Sequence, residues 1–280
     1  MPCRGQASTR TARSPTPRDG RASHPHRRAN GADPVRRLAA PDGSDVRSAW
    51  QEVQLRLGHG LLKLAGPTVA GSELGPIDAV LLTHDHHDDN LDPSGRALLP
   101  SADAVVTTVS GSDRLGGDTR GLEPWATTTL EAPGRPTIEI TATPWRHGPP
   151  LSRPLAGDVI GFALGWDGQE HGVLWISGDT VLYDGVREVA DRLQVDTALL
   201  HLGGVRFPVT GPVRYTMTAR DAVELCRLVR PRIAIPIHYE GWKHFQEGRD
   251  AIEREVARAP EDIRRRIRWL PLGAEVELAA

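Results

Sequence analysis

The chain has 280 residues with 39% hydrophobic side chains, the balance of an ordinary globular protein able to bury one large core. Its 34 basic and 36 acidic residues leave a net charge of −2, which favours no particular class of partner. Two cysteines exclude a disulfide framework, and no stretch is long and apolar enough to cross a membrane or to serve as a secretory signal, so a cytoplasmic protein is expected.

Residues 1–55 differ from all that follows. They are rich in Arg, Pro, Ser and Ala, with almost no large apolar side chain between Met1 and Trp50, and are expected to be disordered ahead of a domain spanning residues 56–280. Three readings of the segment stay open: a basic tail able to touch phosphate or an anionic surface, an Arg-rich targeting segment, or a mistaken N-terminal sequence. His24, His26 and His59 fall in or beside it and are given no role.

The first clear element is Ile77-Asp78-Ala79-Val80-Leu81-Leu82, which reads as a short buried strand. It ends in Thr83-His84-Asp85-His86-His87-Asp88-Asp89-Asn90, residues that a core does not hold unpaired. His84 and His86 are two apart, so on an extended chain they share a side and can grip one ion, while the carboxylates after them can serve a second. Asp92-Pro93 then opens a helix, proline being favoured in a first turn.

Strands are predicted next at 104–107, 126–130, 137–143, 159–166 and 172–177, then a helix at 184–193 and a strand at 197–201. After a loop rich in Gly and Pro comes a helix at 218–229, opened by the capping box Thr218-Ala219-Arg220-Asp221 and carrying the apolar stripe Ala222, Leu225, Cys226 and Val229. Cys226 is therefore a core residue. A strand at 232–237, a helix at 242–259 and strands at 266–270 and 275–278 closing a sheet edge complete the chain. Strands in blocks with helices outside predict an α+β, layered αββα sandwich.

Four of these strands run out into a residue able to bind metal. His84 follows the first, His147 the strand at 137–143, Asp179 the strand at 172–177, and His238 the strand at 232–237. Gly178 beside Asp179 lets the backbone turn closely there. Ligand-type residues at four strand ends point to one metal centre.

The order HxHH-D, His, GDT, His resembles the metallo-β-lactamase-fold hydrolases, and within them the lactonase and phospholipase-D-like branch. The words that carry it are Thr83-His84-Asp85-His86, Trp145-Arg146-His147-Gly148-Pro149, Ser177-Gly178-Asp179-Thr180, Gly203-Gly204 with Thr216-Met217, and Ile235-Pro236-Ile237-His238-Tyr239-Glu240-Gly241-Trp242. The resemblance implies a four-layer αββα sandwich and two divalent metal ions, zinc first, with Mn or Fe as alternatives. His84, His86 and His147 would hold the first ion, Asp179 would bridge both, and His238 would hold the second. The family's usual HxHxDH is altered here. Counting from His84 makes Asp88 the aspartate ligand; counting back from Leu91-Asp92 makes Asp89 the ligand and puts Asn90 where the family has a histidine, and the second count is preferred because the helix opening at Asp92-Pro93 should fix the geometry. His87, Asn90 and His201 are further candidates, either as ligands or as groups that orient one.

A water held between two divalent cations would attack an ester, lactone or phosphodiester, with the aspartate at 88 or 89 orienting it and passing a proton to the leaving group. Tyr239 and Trp242, with His244, Arg206 and Tyr215, lie in loops that the resemblance puts at the pocket mouth and are candidates to bind a small-molecule substrate. Nuclease relatives usually carry an added domain not visible here, so no nucleic-acid partner is indicated, and oligomeric state is not legible. The alternative is a non-hydrolytic di-iron redox protein, or a catalytically degenerate metal-binding protein, of the same fold. The family normally opens with two or three strands. The return of family-like sequence near 63–67, after a segment without strand patterns, implies that these are missing or replaced.

Overall fold

Alternation along the strands decides the layers. In a computed structural model that describes residues 60–278 except Pro67, together with Leu38–Ala39 and Glu52–Gln54, β4 (Ala79–Leu81) sends Leu81 to one apolar cluster and Val80, with the following Leu82, to another. Val106 and Val105 of β5 (Val105–Thr108) divide the same way. With β1 (Leu38–Ala39) and β6 (Arg120–Leu122), these strands make a parallel four-stranded sheet in the order β1-β4-β5-β6. A separate antiparallel pair joins β2 (Glu52–Gln54) to β3 (Gly60–Leu62).

The second sheet has six strands: β7 (Thr127–Leu130), β8 (Ile138–Thr143), β9 (Gly161–Trp166), β10 (Val173–Ile176), β11 (Val195–His201) and β12 (Ile233–Ile237), in the order β12-β11-β10-β9-β8-β7. Ile138, Ile140, Phe162, Leu164 and Ile176 meet Leu81, Val106 and Leu122 between the two sheets. The opposite face of the six-stranded sheet, with Ala163, Trp175, Ala198 and Leu200, packs under α4 (Asp184–Arg192), α5 (Ala219–Val229), α6 (Arg249–Arg258) and α7 (Glu261–Arg264). The outer face of the other sheet packs against α1 (Pro93–Leu98) and α2 (Val109–Leu115), and a short α3 (Arg153–Ala156) lies between β8 and β9 in the chain. Helix, sheet, sheet, helix is the four-layer αββα sandwich expected for the metallo-β-lactamase fold.

Most elements fall where the residue patterns put them. The capping box of α5 closes in both directions, and Cys226 is fully buried on its inner face, where burial pushes the thiol up to about 12. Four expectations are corrected. The helix expected from Trp242 begins only at Arg249, because the amides of Gln246 and Glu247 both donate to the carbonyl of Gly203 and hold the preceding residues in a loop. In place of a strand at 266–270 there is a single bridge, Ile267 to Ala234. No strand forms at 275–278. Helix α2 and strand β6 had no counterpart, since the four glycines between 111 and 121 dilute any apolar period. The expectation of disorder over residues 1–55 lies outside the described residues apart from the short strands β1 and β2.

Strand direction builds the functional edge. β10, β11 and β12 are parallel, and β8 runs with them because β9 is antiparallel to both β8 and β10. Their C-terminal ends therefore share one edge. Ile160, which leads into β9 at that edge, donates its amide to the Thr83 carbonyl at 3.0 Å and brings the end of β4 to the same place.

Candidate metal centre

The loop after β4 is held by its own polar groups. Asn90 donates its side-chain amide to the His84 carbonyl and accepts from Thr83 Oγ1, while Thr83 Oγ1 also lies 3.0 Å from His84 Nδ1. Asp85 is buried under a bidentate pair with Arg114 of α2, and its carbonyl accepts from Arg96 of α1 at 2.9 Å. Burial would raise the Asp85 carboxyl, but the Arg114 guanidinium holds it far below the usual range. Asp92 caps α1 through the Gly95 amide at 2.8 Å and pairs with buried Lys63 at 3.4 Å.

Four imidazoles gather above this loop. His84 lies with its ring centroid 5.1 Å from His86, 5.2 Å from His87 and 5.7 Å from His147, and His87 is 5.2 Å from His147. His147 Nδ1 bonds the Tyr215 carbonyl at 2.9 Å, which puts its proton there and leaves Nε2 as a lone pair. His86 Nε2 bonds the Ala156 carbonyl, and its ring fills the space a side chain at Gly157 would occupy. His84, His87 and Asp89 each offer a ligand atom within 4.8 Å of the others.

Asp179 reaches the cluster from the end of β10. Gly178 precedes it at φ 63°, where an added Cβ would lie 2.6 Å from the Ile160 carbonyl, so only glycine fits the turn. His238, just past β12, has φ 57°, a conformation that costs a residue with a side chain of the order of 1–3 kcal/mol, and its Nε2 stands 3.6 Å from Asp179 Oδ1. His201 ends β11 and meets Ser177 Oγ through both its amide, at 2.9 Å, and Nδ1, at 3.3 Å.

The burial of these groups has a physical consequence. His84 Nε2, His86 Nδ1, His147 Nε2, Asp89 Oδ1 and Asp179 Oδ1 are all buried with no hydrogen-bond partner among the described residues. One such group costs about 1–3 kcal/mol, so five at one edge need a common partner of opposite charge. Imidazole nitrogens and carboxylate oxygens in this number are the donor set of a divalent metal, and the residues fit one.

Burial lowers His84 and His147 well below the usual imidazole range and His87 to about 4, with the neighbouring imidazoles adding to it, so all three are neutral and able to ligate. His201 is lowered by burial too. Burial pushes Asp179 up to about 6, against the pull of His238. Burial pushes Asp89 upward as well, but the bond from His244, followed by His87 and His238, holds it well below the usual carboxylate range.

Asp89 is 4% exposed and lies in the cluster; Asp88 is only partly buried and lies outside the group formed by His84, His87 and Asp89. Asn90 uses its amide to brace the loop. Tyr239 belongs to the core beneath α6 and meets Trp269 edge-on, and Trp242 is buried below Lys63. The residue underweighted in the sequence is His244, whose Nε2 lies 2.8 Å from Asp89 Oδ2 across 155 positions of chain. The sequence places it only among the pocket-mouth loop residues able to bind substrate, and no local spacing marks it as a partner of Asp89.

Comparison with known proteins agrees with this geometry. The family described as beta-lactamase superfamily domain matches residues 55–239. A UPF0173 metal-dependent hydrolase of Methanosphaerula palustris is 24% identical over 208 residues, covering 72% of this chain and 84% of that protein. Another, from Opitutus terrae, is 34% identical over 172 residues, covering 59% and 67%. Among solved structures, an isothiocyanate hydrolase from Delia radicum gut bacteria superposes with a TM-score of 0.65 at 18% identity, covering 87% of this chain and 91% of that one. A possible metal-dependent hydrolase from Veillonella parvula superposes equally well, at 0.65 and 18%, covering 86% and 90%. With the family match spanning most of the chain and the strand-end cluster in place, the protein belongs to the beta-lactamase superfamily, as one of its metal-dependent hydrolases.

Proposed function

We propose that the cluster holds two divalent ions, zinc first, with Mn or Fe as alternatives, and that the protein hydrolyses an ester, lactone or phosphodiester of a small molecule. The observation that carries this reading is the set of five buried ligand atoms, on His84, His86, His147, Asp89 and Asp179 at one edge of the sandwich, that have no hydrogen-bond partner among the described residues. Ions bound there supply Lewis acidity toward the scissile bond and make a coordinated water acidic enough to attack near neutral pH.

His84, His86 and His147 offer ring nitrogens to one position, with His87 close enough to join them. Asp179, paired with His238, is the candidate to reach both positions, and Asp89 offers a carboxylate oxygen to the second. Asp89 is also the group that orients the attacking water and carries a proton to the leaving group, because it is buried in the cluster and kept ionised. Asp88, less buried, takes no direct part.

The test is metal content by plasma mass spectrometry on desalted protein, with turnover before chelation, after it and after re-addition of zinc or manganese. Substrates would be bis(p-nitrophenyl) phosphate, an aryl ester, a simple lactone and an isothiocyanate, the last because of the neighbour's activity. Two equivalents of metal and turnover abolished by chelation are expected. Turnover that survives chelation, or persists in both His84→Ala and His147→Ala, overturns the reading. Bound iron with visible absorbance and no hydrolysis moves it to a redox protein of the same fold.

A further inference from the structure

We infer that His244 is a positioning residue for the metal centre, holding Asp89 through an Nε2–H donated to Oδ2 at 2.8 Å so that Oδ1 remains as the ligand oxygen. The inference rests on the reading of the cluster as a metal centre. Asp89 divides its two oxygens accordingly: Oδ2 is bonded to His244, while Oδ1 is buried with no hydrogen-bond partner among the described residues. A carboxylate beside Nε2 selects the tautomer protonated there. Nδ1 has no hydrogen-bond partner among the described residues.

The imidazole is placed by packing on several sides. His244 is 7% exposed, stacks on Phe207 at 5.4 Å and 26°, meets Phe245 edge-on at 4.8 Å, and has Trp242 at 5.8 Å. Its carbonyl accepts from the Arg206 amide at 3.3 Å and from Gln246 Nε2 at 3.0 Å. The loop is fixed to the rest of the site at both ends, since Leu64 donates its amide to the Gly241 carbonyl at 2.7 Å and Gln246 and Glu247 donate theirs to Gly203. Lys63 joins the two loops directly, with Nζ 3.4 Å from Asp92 Oδ2 and 5.3 Å from the centroid of the Trp242 ring. The segment carrying Asp89 and the segment carrying His244 are thus one packed unit, with little freedom to change the distance between them.

Groups that hydrogen-bond a metal ligand from behind set its orientation, and removing one typically weakens metal binding about 10–100-fold. The experiment is zinc affinity by competition with a chromophoric chelator, together with the visible spectrum of the cobalt-substituted protein. It compares wild type with His244→Leu, which keeps bulk without a donor, with the smaller His244→Ala, and with His244→Gln, whose amide N–H reaches close to the position of Nε2. Folding is monitored by circular dichroism. The expected result is a loss of zinc affinity of about 10–100-fold in Leu and Ala, recovered for the most part in Gln, with the cobalt spectrum of Gln like that of wild type. Unchanged affinity in a folded Leu or Ala variant overturns the inference and leaves His244 a packing residue. Equal losses in Leu, Ala and Gln, with an altered cobalt spectrum in each, overturn it in favour of His244 as a ligand itself. Wild type that binds no metal overturns the metal-centre reading, and this inference with it, which keeps the two failures distinct.

Discussion

At the scale of single residues, Asp88 and Asp89 are neighbours of one chemical type in different environments. Asp89 sits among His84, His87 and His244 with one oxygen lacking a hydrogen-bond partner among the described residues; Asp88 is partly exposed, and burial with the nearby Asp89 and Asp92 charges raises its carboxyl. Removing the charge of Asp89 with an isosteric amide is therefore expected to remove a ligand, whereas the same change at Asp88 removes only a solvated group. Asp89→Asn should weaken zinc binding at least about 10-fold, and Asp88→Asn should stay within about threefold of wild type, as read by chelator competition. Equal losses in both would return the ligand to the position counted forward from His84. The sequence favoured Asp89 by counting back from the helix start at Asp92-Pro93, but spacing along a loop does not by itself say which carboxylate turns inward.

Elements are set by local signals that the chain states openly. Thr218 Oγ1 accepts from the Asp221 amide at 3.1 Å, and the Asp221 carboxylate accepts in return from the Thr218 amide at 2.9 Å, so two otherwise orphaned donors of α5 are satisfied. Thr218→Ala is expected to cost about 1 kcal/mol, seen as a lower urea midpoint with an unchanged slope, while metal content stays at the wild-type level. A loss much above 2 kcal/mol would mean that this helix end also braces the adjacent Gly203–Gly204 turn, since the Gly204 amide donates to the Met217 carbonyl. The helix expected from Trp242 failed for the converse reason. Its first turn has polar and aromatic residues acceptable to a helix, yet backbone bonds to Gly203 and Gly241 and the burial of His244 outweigh that weak preference.

For the whole molecule, the two sheets meet at a functional edge that is costly to assemble without an ion. Ligands that bind the folded chain alone add stability by mass action, about 2.7 kcal/mol at a free concentration one hundred times the dissociation constant. In a domain of this size, each kcal/mol shifts Tm by about 2–4 °C. Stripping metal from the protein should therefore lower Tm by about 5–10 °C in differential scanning calorimetry, and restoring zinc should return it. An identical Tm with and without metal would mean that the buried imidazoles and carboxylates are satisfied by other means.

What the sequence by itself determined is the layered architecture and the presence of a metal centre. The period-two alternation of strands such as Phe162, Ala163, Leu164 assigns each side chain to one face or the other, and His84, His147, Asp179 and His238 follow strands whose apolar runs end abruptly. Both signals are local, and local physics suffices to read them. Tertiary structure alone decided which residues share the site beyond those strand ends and the Asp89 favoured by the helix start: His87 beside His84, the amide of Asn90 spent on its own loop, and His244 against Asp89. Those contacts depend on where loops from distant parts of the chain are pinned, and a hydrogen bond across 155 residues leaves no periodicity in sequence.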